Sequence, residues 1–355
     1  MALDVTGTDP GGLGTSAWFA LLTVSALLAA WALTWLTRWI AERRAILDAP
    51  NHRSSHMRPT PKGGGLAITA VLLTSWAGLT LWPAAALEVA AFDPRPVIAL
   101  AALLAAMSWL DDLRGLSPLF RFPVQIAIAA LGLSSFPESA LVFQGWLPPL
   151  ADRVLTVIVW VWFLNLYNFM DGIDGITGIE SLVITGGLCL LALLGAAPAA
   201  LGWLALFAAA AVAGFLPWNW APARIFAGDV GSVTLGFVLG WLLLWLAASG
   251  QWAAALILPL YYLVDSGTTL LARLARREKI WEAHRDHAYQ KAVRRGLGHD
   301  GVSLRVLLAG FALVCFAVVA AAGAPWVSFF CALLVVGALM ANLLKGRDTP
   351  PARAA

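Results

Sequence analysis

Residues 154–178 read Val154-Leu-Thr-Val-Ile-Val-Trp-Val-Trp-Phe-Leu-Asn-Leu-Tyr-Asn-Phe-Met-Asp-Gly-Ile-Asp-Gly-Ile-Thr-Gly178. The first part, Val154–Leu164, is an apolar run that suits a bilayer. Residues three apart on a helix lie on roughly one face, and glycines with the same spacing let a ligand approach the backbone. Charged groups at the edge of hydrocarbon are costly to keep, so this order favours a functional site over a polar helix end. Two amides and two carboxylates are expected to converge: Asn165, Asn168, Asp171 and Asp174.

The composition predicts a polytopic membrane protein. The chain has 355 residues, of which 60% are hydrophobic and 12% are charged, about half the charged fraction of a soluble domain. We therefore treat residues 1–355 as a single integral membrane domain. The three cysteines lie in apolar runs without metal-site or disulfide spacing: Cys189, Cys315 and Cys331.

Apolar runs predict an all-α fold with about eleven transmembrane helices, since a span needs about 20 residues. The last two runs form a C-terminal helical hairpin over residues 304–343. The 18 tryptophans often fall near the ends of these runs, as expected for residues at the membrane interface. The predicted spans cover residues 17–39, 64–86, 95–110, 121–137, 152–168, 178–195, 198–216, 231–248, 251–271, 304–322 and 325–343.

The distribution of Lys and Arg predicts the orientation. All but two of the 23 basic residues follow odd-numbered spans, the exceptions being Arg95 and Arg153. Because cytoplasmic loops are enriched in basic residues, we place the N-terminus in the periplasm and the C-terminus in the cytoplasm. Residues 1–16 carry no Lys or Arg, so residues 17–39 are interpreted as a retained span rather than a cleaved signal. Every motif described below follows an odd-numbered span and is expected at the cytoplasmic face.

The first two cytoplasmic loops carry charged motifs. Lys62 precedes Gly63-Gly-Gly65 at the start of the second span, where backbone N–H groups and cations favour an anion site. A positive-inside anchor with a flexible turn is the alternative. Asp111-Asp112 follows the third span, and adjacent carboxylates suit a hard cation such as Mg²⁺ or a general base. The alternative for this pair is a helix end held by a nearby arginine.

The loop after the seventh span ends in Phe226-Ala-Gly-Asp-Val-Gly-Ser232. Asp229 lies between glycines just before the eighth span, where a carboxylate without a partner is costly unless it binds something. Phe226 is suited to stacking on a base and Asn219 to recognising its edge. An interfacial aromatic is the alternative for Phe226.

The ninth span and the loop after it carry a further set of ionisable residues. Asp265 lies within the span. It could form a structural ion pair with Arg273 or Arg276, or it could take part in catalysis, and the sequence favours neither interpretation. The loop contains His284-Arg-Asp-His287. Zn²⁺ would prefer further Cys or His ligands, so a phosphate-binding face that includes Arg285 is the better interpretation. A basic amphipathic helix on anionic lipid is the alternative.

Carboxylates, cations and glycine-rich turns at one face are typical of metal-assisted phosphoryl transfer. From Pro50 to about Arg295 the sequence resembles the polyprenyl-phosphate N-acetylhexosamine-1-phosphate transferases of glycosyltransferase family 4. The sequences of the first loop and of the segment His-Arg-Asp-His-Ala-Tyr-Gln are most similar to those of the O-antigen-initiating branch. The resemblance is carried by four motifs: Asp111-Asp112, Asn165-x-x-Asn168-x-x-Asp171-Gly-Ile-Asp174-Gly, Phe226-Ala-Gly-Asp229 and His284-x-x-His287.

The resemblance implies transfer of an N-acetylated sugar 1-phosphate from a UDP-sugar to undecaprenyl phosphate, with release of UMP. It implies an enzyme of the bacterial inner membrane. The reaction would start the synthesis of O-antigen lipopolysaccharide or a related polysaccharide. It further implies Mg²⁺, with Mn²⁺ as an alternative, contact with membrane lipid, and no nucleic-acid partner, and it leaves a homodimer open. The implied roles are catalysis by Asp111, Asp112, Asp171 and Asp174; metal binding by Asp229 and Asn168; nucleotide binding by Asn165, Asn219 and Phe226; and phosphate or sugar binding by Lys62, His284, Arg285 and His287.

Two other classes of protein remain as alternatives. A transporter or lipid flippase would use Asp111, Asp171 and Asp265 as a proton or ion relay, although these acids cluster at one face. A membrane scaffold for glycan assembly would tolerate replacement of the motif acids. Release of UMP from a UDP-sugar separates the transferase from both.

Overall fold

The computed structural model describes residues 15–50, 55, 58–81, 93–279 and 284–345. Both chain termini, part of the first-loop motif and residues 280–283 of the loop before His284 lie outside these residues. Within them the elements are α1 (Thr15–Arg43), β1 (Leu47–Asp48), β2 (Thr60–Pro61), α2 (Gly65–Leu81), α3 (Arg95–Arg114), α4 (Pro118–Gly132), α5 (Pro149–Phe169), α6 (Ile176–Leu193), α7 (Ala199–Asn219), α8 (Asp229–Ala248), α9 (Trp252–Ile257), α10 (Leu260–Ala275), α11 (Ala288–Arg294), α12 (His299–Ala321) and α13 (Pro325–Leu343), with a 3₁₀ turn at Leu133–Ser135.

These elements agree with the predicted all-α membrane fold. Each predicted span coincides with a helix or a pair of helices, and nine helices of the described part are long and apolar enough to cross a membrane. Helix α2 is shorter, with 17 residues. The predicted span over residues 251–271 is divided into α9 and α10 at Pro259, because proline lacks the N–H that would continue a helix. The number of crossings and the orientation stay predictions.

Helix α8 is the centre of the bundle. Its apolar window is completely buried, and it packs against α2, α3 and α5. A Cβ at Gly236 would lie 2.8 Å from the Cα of Leu164 in α5, and one at Gly65 would lie 2.2 Å from the backbone of Gly231. Small residues of this kind let membrane helices approach closely. They fix the N-terminus of α8, and with it Asp229, against α2 and α5.

The second half of the polar motif, which contains Asp171 and Asp174, forms a turn and does not continue the helical face of Asn165 and Asn168. Helix α5 ends at Phe169 and α6 begins at Ile176, so Asp171 and Asp174 lie in the connection. Gly175 ends this turn with a φ of 80°, a conformation that glycine adopts without steric cost.

Several helix ends meet the first loop around one cavity. These are the C-terminal ends of α3, α5 and α7 and the N-terminal end of α8. The first loop joins them through a bridge between Lys62 and Phe226. In it, Phe226 N donates to Pro61 O at 2.9 Å, and Gly64 N donates to Phe226 O at 2.9 Å. The loop that carries Lys62 is thereby fixed beside the loop that precedes Asp229.

Candidate active site

Polar side chains from separate segments line this cavity, which has a volume of about 360 Å³. Most of the residues predicted from the sequence motifs are among them. The predicted residues that line it are Lys62, Asp112, Asn168, Asp171, Asp174, Asn219, Phe226 and Asp229.

Lys62 and Asp112 are joined at one wall of the cavity. Lys62 Nζ donates to the backbone carbonyl oxygen of Asp112 at 2.6 Å and lies 3.6 Å from Asp112 Oδ1. Asp112 Oδ2 accepts a hydrogen bond from Val230 N at 3.2 Å, in the first turn of α8, where backbone N–H groups lack helical partners. A Cβ at Gly228 would lie 2.8 Å from this oxygen. The Asp112 carboxylate is therefore held between a lysine and a helix N-terminus.

Arg121 joins Asp111 to Asp229. Its guanidinium group pairs with Asp111 Oδ2, and its Nη1 lies 3.3 Å from Asp229 Oδ2. Asp111 Oδ1 accepts a hydrogen bond from Leu116 N at 2.6 Å. Of the two adjacent aspartates, Asp112 lines the cavity, whereas Asp111 holds the arginine that reaches Asp229.

Asn168 and Asp171 lie beside these groups. Asn168 Nδ2 donates to Ser232 Oγ at 3.2 Å, which ties the end of α5 to α8. Burial raises the pKa of the Asp171 carboxyl to about 6, and the neighbouring carboxylates of Asp112 and Asp174 act in the same direction. The cavity therefore concentrates negative charge, which a bound cation would offset.

Asp174 and Asn219 join two further segments of the cavity lining. Asp174 Oδ2 accepts a hydrogen bond from Ala223 N at 2.9 Å. Asn219 Oδ1 accepts from Gly175 N at 3.0 Å, and its Nδ2 donates to Ile225 O at 3.0 Å. These contacts tie the start of α6 to the loop between α7 and α8, which carries Phe226 into the cavity lining.

Asn165 and the glycines of the first loop contribute to packing. Asn165 Nδ2 donates to Gln125 Oε1 in α4 and to Val161 O, each at 2.8 Å. A Cβ at any position of Gly63–Gly65 would lie 2.2 to 2.7 Å from an atom of a neighbouring element. None of these residues lines the cavity, so nucleotide binding by Asn165 and phosphate binding by the glycines stay predictions.

Asp265 anchors the loop between α10 and α11, which contains His284 and His287 and is called the histidine-containing loop below. It is fully buried, and its carboxylate accepts hydrogen bonds from Ala288 N at 2.9 Å and Tyr289 N at 3.4 Å. His287 Nδ1 lies 3.4 Å from Asp265 Oδ1. The acid therefore caps α11. The pairing with Arg273 that was one of the predicted alternatives is not formed, because that arginine pairs with the acids of the loop.

Among the described residues of the histidine-containing loop, His284, Arg285 and His287 do not line the cavity. Burial, together with nearby His287 and Arg273, lowers the pKa of His284 to about 4. His284 is therefore neutral at pH 7 and adds no positive charge for a phosphate. Binding of phosphate or sugar by His284, Arg285 and His287 stays a prediction.

The cavity contains polar residues that the motifs did not predict. Gln290 lies in α11, directly after the tyrosine capped by Asp265, and Ser232 lies in α8. His299 is the first residue of α12, and its Nδ1 lies 3.0 Å from Asp174 Oδ1. The available signal for His299 was a His-Asp pair just before a long, mostly apolar run. Asp48, in β1, also lines the cavity.

The residues of the cavity fit a hard divalent cation. Carboxylates and an amide supply oxygen donors, which Mg²⁺ and Mn²⁺ prefer, and a cation would offset the negative charge of Asp112, Asp171 and Asp229 in the cavity lining. The described residues contain no cluster of three or more His, Cys, Asp or Glu that could by itself hold a metal ion. A Mg²⁺ site usually needs only one or two carboxylates, completed by water and substrate phosphates.

Comparisons with known proteins show which proteins the chain is similar to. Residues 95–247 match the model of glycosyl transferase family 4. The chain is 26% identical over 329 residues, 88% of each chain, to a Bacillus subtilis protein named probable undecaprenyl-phosphate N-acetylglucosaminyl 1-phosphate transferase. It is 29% identical over 244 residues, 62% of this chain and 58% of the relative, to the decaprenyl-phosphate N-acetylglucosaminephosphotransferase of Mycolicibacterium smegmatis. It is 30% identical over 197 residues, 50% of this chain and 59% of the relative, to the phospho-N-acetylmuramoyl-pentapeptide-transferase of Deinococcus radiodurans.

The family model and the names of these relatives support the assignment of the chain to the polyprenyl-phosphate N-acetylhexosamine 1-phosphate transferases of glycosyltransferase family 4. The matched region runs from the first residue of α3 almost to the end of α8, and so includes the aspartate pair, the polar turn and Asp229.

Proposed function

We propose that the chain transfers an N-acetylhexosamine 1-phosphate from a UDP-linked donor to undecaprenyl phosphate in the bacterial inner membrane. The observation that supports this most directly is the convergence of Lys62, Asp112, Asp171 and Asp229 on one cavity at the helix ends. An acceptor lipid requires a site of this kind, because its phosphate stays at the membrane surface while its prenyl chain stays in hydrocarbon. The names of the relatives supply the substrate class.

The proposed reaction exchanges one diphosphate bond for another. An oxygen of the lipid phosphate attacks the phosphorus that carries the sugar, and a new P–O bond forms. The P–O bond to the uridine-bearing phosphate breaks, and UMP leaves with the electron pair. Both reactants are anions, so catalysis depends mainly on positioning and on offsetting negative charge.

Lys62 and Asp112 are proposed to receive the lipid phosphate. The lysine ammonium group offers a cation at the cavity wall, and Asp112 beside it orients the phosphate or accepts its proton. Because Val230 N and Lys62 hold the Asp112 carboxylate from two sides, its orientation is set before the substrate arrives. Asp111 acts indirectly in this proposal, by holding Arg121 next to Asp229.

Asp229 and Asn168 are proposed to hold Mg²⁺ or Mn²⁺, with Asp171 adjacent. When bound, such a cation neutralises the diphosphate and acts as a Lewis acid. Phe226 is proposed to stack on the uracil base. Asn219, whose amide is bonded to backbone at both ends, would position that wall of the cavity.

Initiation of O-antigen synthesis is proposed from the sequences of two loops. The relatives include enzymes named for phospho-N-acetylmuramoyl-pentapeptide and decaprenyl-phosphate substrates. The donor sugar is therefore to be identified by assay.

The test uses purified protein, undecaprenyl phosphate and a panel of UDP-N-acetylhexosamines, with UMP and lipid-linked sugar as readouts. We expect UMP release with at least one donor, its loss on removal of divalent cations, and its loss in Asp229→Asn. Asp93→Asn is the matched control, since that exposed carboxylate pairs with Arg95 at the other end of α3. Absence of UMP with every donor, or near-normal turnover of Asp229→Asn, would contradict the proposal.

A further inference from the structure

We propose that His299 binds a sugar hydroxyl of the donor through its Nε2, and that Asp174 positions the imidazole. This inference rests on the proposed function, because it takes the nucleotide-sugar donor as the ligand. His299 belongs to none of the sequence motifs, yet it lines the cavity from the first position of α12.

Both oxygens of the Asp174 carboxylate are engaged. Oδ1 lies 3.0 Å from His299 Nδ1, and Oδ2 accepts a hydrogen bond from Ala223 N at 2.9 Å. His299 Nδ1 also accepts a hydrogen bond from the backbone N–H of Asp174 at 3.3 Å, so the backbone and the carboxylate of Asp174 both engage this ring nitrogen. Asp174 is thus occupied in holding a second side chain, which is the contact expected of a positioning residue.

Two contacts from one face of α12 maintain this arrangement. Ser303 Oγ donates to the backbone carbonyl oxygen of Asp174 at 2.9 Å, and Ser303 lies one turn after His299 on the same face. The side chain of His299 remains 15% exposed. Because Nδ1 is committed to Asp174, Nε2 is the ring nitrogen left for a ligand.

The charge around His299 favours a hydroxyl over a phosphate. Asp174 touches the imidazole, and its carboxylate also raises the pKa of the nearby Asp171, so negative charge surrounds this wall. The cation nearby, Lys62, contacts Asp112 and not Asp174. A phosphate beside these carboxylates would be repelled, whereas a hydroxyl can donate to or accept from a ring nitrogen. The donor carries hydroxyls on its ribose and on its hexosamine.

A pair of substitutions separates the two ring nitrogens. His299→Asn keeps an amide donor near the Nδ1 position and removes Nε2, whereas His299→Gln places an amide near Nε2. We expect His299→Asn to raise the KM for the donor about tenfold, as for loss of one hydrogen bond, with a smaller effect on kcat and none on the KM for undecaprenyl phosphate. His299→Gln should recover part of this loss.

Inhibition by UMP distinguishes the two sugars, since UMP contains ribose and lacks hexosamine. Weaker inhibition of His299→Asn by UMP would assign the contact to the ribose, and unchanged inhibition with a raised donor KM would assign it to the hexosamine. An unchanged donor KM in His299→Asn, or a fall in kcat alone, would overturn the proposal. Failure of the unaltered protein to release UMP would instead contradict the proposed function.

A second measurement covers the case in which His299→Asn does not fold. The chain has five histidines, so ring ¹⁵N spectra of the unaltered protein are tractable. The donor should shift one Nε2 resonance that is missing from His299→Gln, and undecaprenyl phosphate alone should not. A spectrum without a donor-dependent shift would overturn the proposal.

Discussion

The ammonium nitrogen of Lys62 lies 2.6 Å from the backbone carbonyl oxygen of Asp112, which is 50 residues later in the chain. This contact joins the first loop to the end of α3 and leaves a cation at the cavity wall. We expect Lys62→Met to lower kcat/KM about tenfold to a hundredfold, the effect of losing a charge-assisted hydrogen bond to a phosphate. The KM for undecaprenyl phosphate should account for most of it.

Arg153→Gln is the control for this prediction. Arg153 lies in the first turns of α5, away from the cavity, and donates to Glu138 O at 3.3 Å. The substitution Arg153→Gln removes a cation outside the site, and the kinetics of this variant should match those of the unaltered protein. Equal kinetics of Lys62→Met and Arg153→Gln would exclude a phosphate contact for Lys62.

The adjacent aspartates should respond differently to substitution. Asp112 lines the cavity, so Asp112→Asn should lower kcat about a hundredfold or more, as for loss of an acid–base or orienting group. Asp111 is directed at Arg121 and Leu116, so Asp111→Asn should have a much smaller effect that resembles the effect of Arg121→Gln. Single-turnover rates measure this, and a larger loss in Asp111→Asn than in Asp112→Asn would reverse the assignment.

Replacement of Asp265 should loosen the histidine-containing loop. In Asp265→Asn an amide N–H group would face the backbone donors of Ala288 and Tyr289, at a cost of about 1–3 kcal/mol in the free energy of unfolding. We expect faster tryptic cleavage between residues 276 and 287 and a lower unfolding temperature. Thr268→Val, which removes an exposed hydroxyl bonded to Val264 O on the same helix, should change neither. Indistinguishable cleavage rates in the two variants would show that Asp265 does not anchor the loop.

The contact between α2 and α8 should not tolerate a side chain at Gly65. A Cβ there would lie 2.2 Å from backbone atoms of Gly231, and overpacking of this kind costs about 1–3 kcal/mol or more. Gly65→Ala should therefore lower thermal stability and also activity, because α8 carries Asp229. Gly78→Ala, in the same helix with no atom within 4 Å of its Cβ position, should be neutral or slightly stabilising. Equal stability of the two variants would be inconsistent with this packing.

The helices could be predicted from the sequence because long apolar runs leave few alternatives in a bilayer. The break between α9 and α10 was missed, since the run over residues 251–271 is apolar on both sides of Pro259. Asn165 and Asn168 both lie in α5, but the Asn165 amide is taken up by Gln125 of the neighbouring helix α4, a packing contact that the spacing does not reveal. Asp171 and Asp174 follow the end of α5 at Phe169, and a spacing of three predicts a common face only where the helix continues.

His299 could not be predicted because its partner, Asp174, is 125 residues earlier in the chain. The same holds for Arg121, whose bridge from Asp111 to Asp229 depends on the packing of α3 against both α4 and α8. Asp111 and Asp112 are indistinguishable as a sequence pair, and only the direction of each side chain at the end of α3 separates their roles.

The sugar-bearing phosphorus of the donor distinguishes transfer of a sugar 1-phosphate from transfer of the sugar alone. A UDP-N-acetylhexosamine with ³²P in that phosphate is incubated with the protein, undecaprenyl phosphate and Mg²⁺, and the lipid and water-soluble products are separated. We expect the label to enter the lipid diphosphate sugar and the released UMP to be unlabelled. Labelled UDP would show transfer of the sugar alone, and unchanged donor would show that the cavity serves another purpose; either result would overturn the proposed reaction.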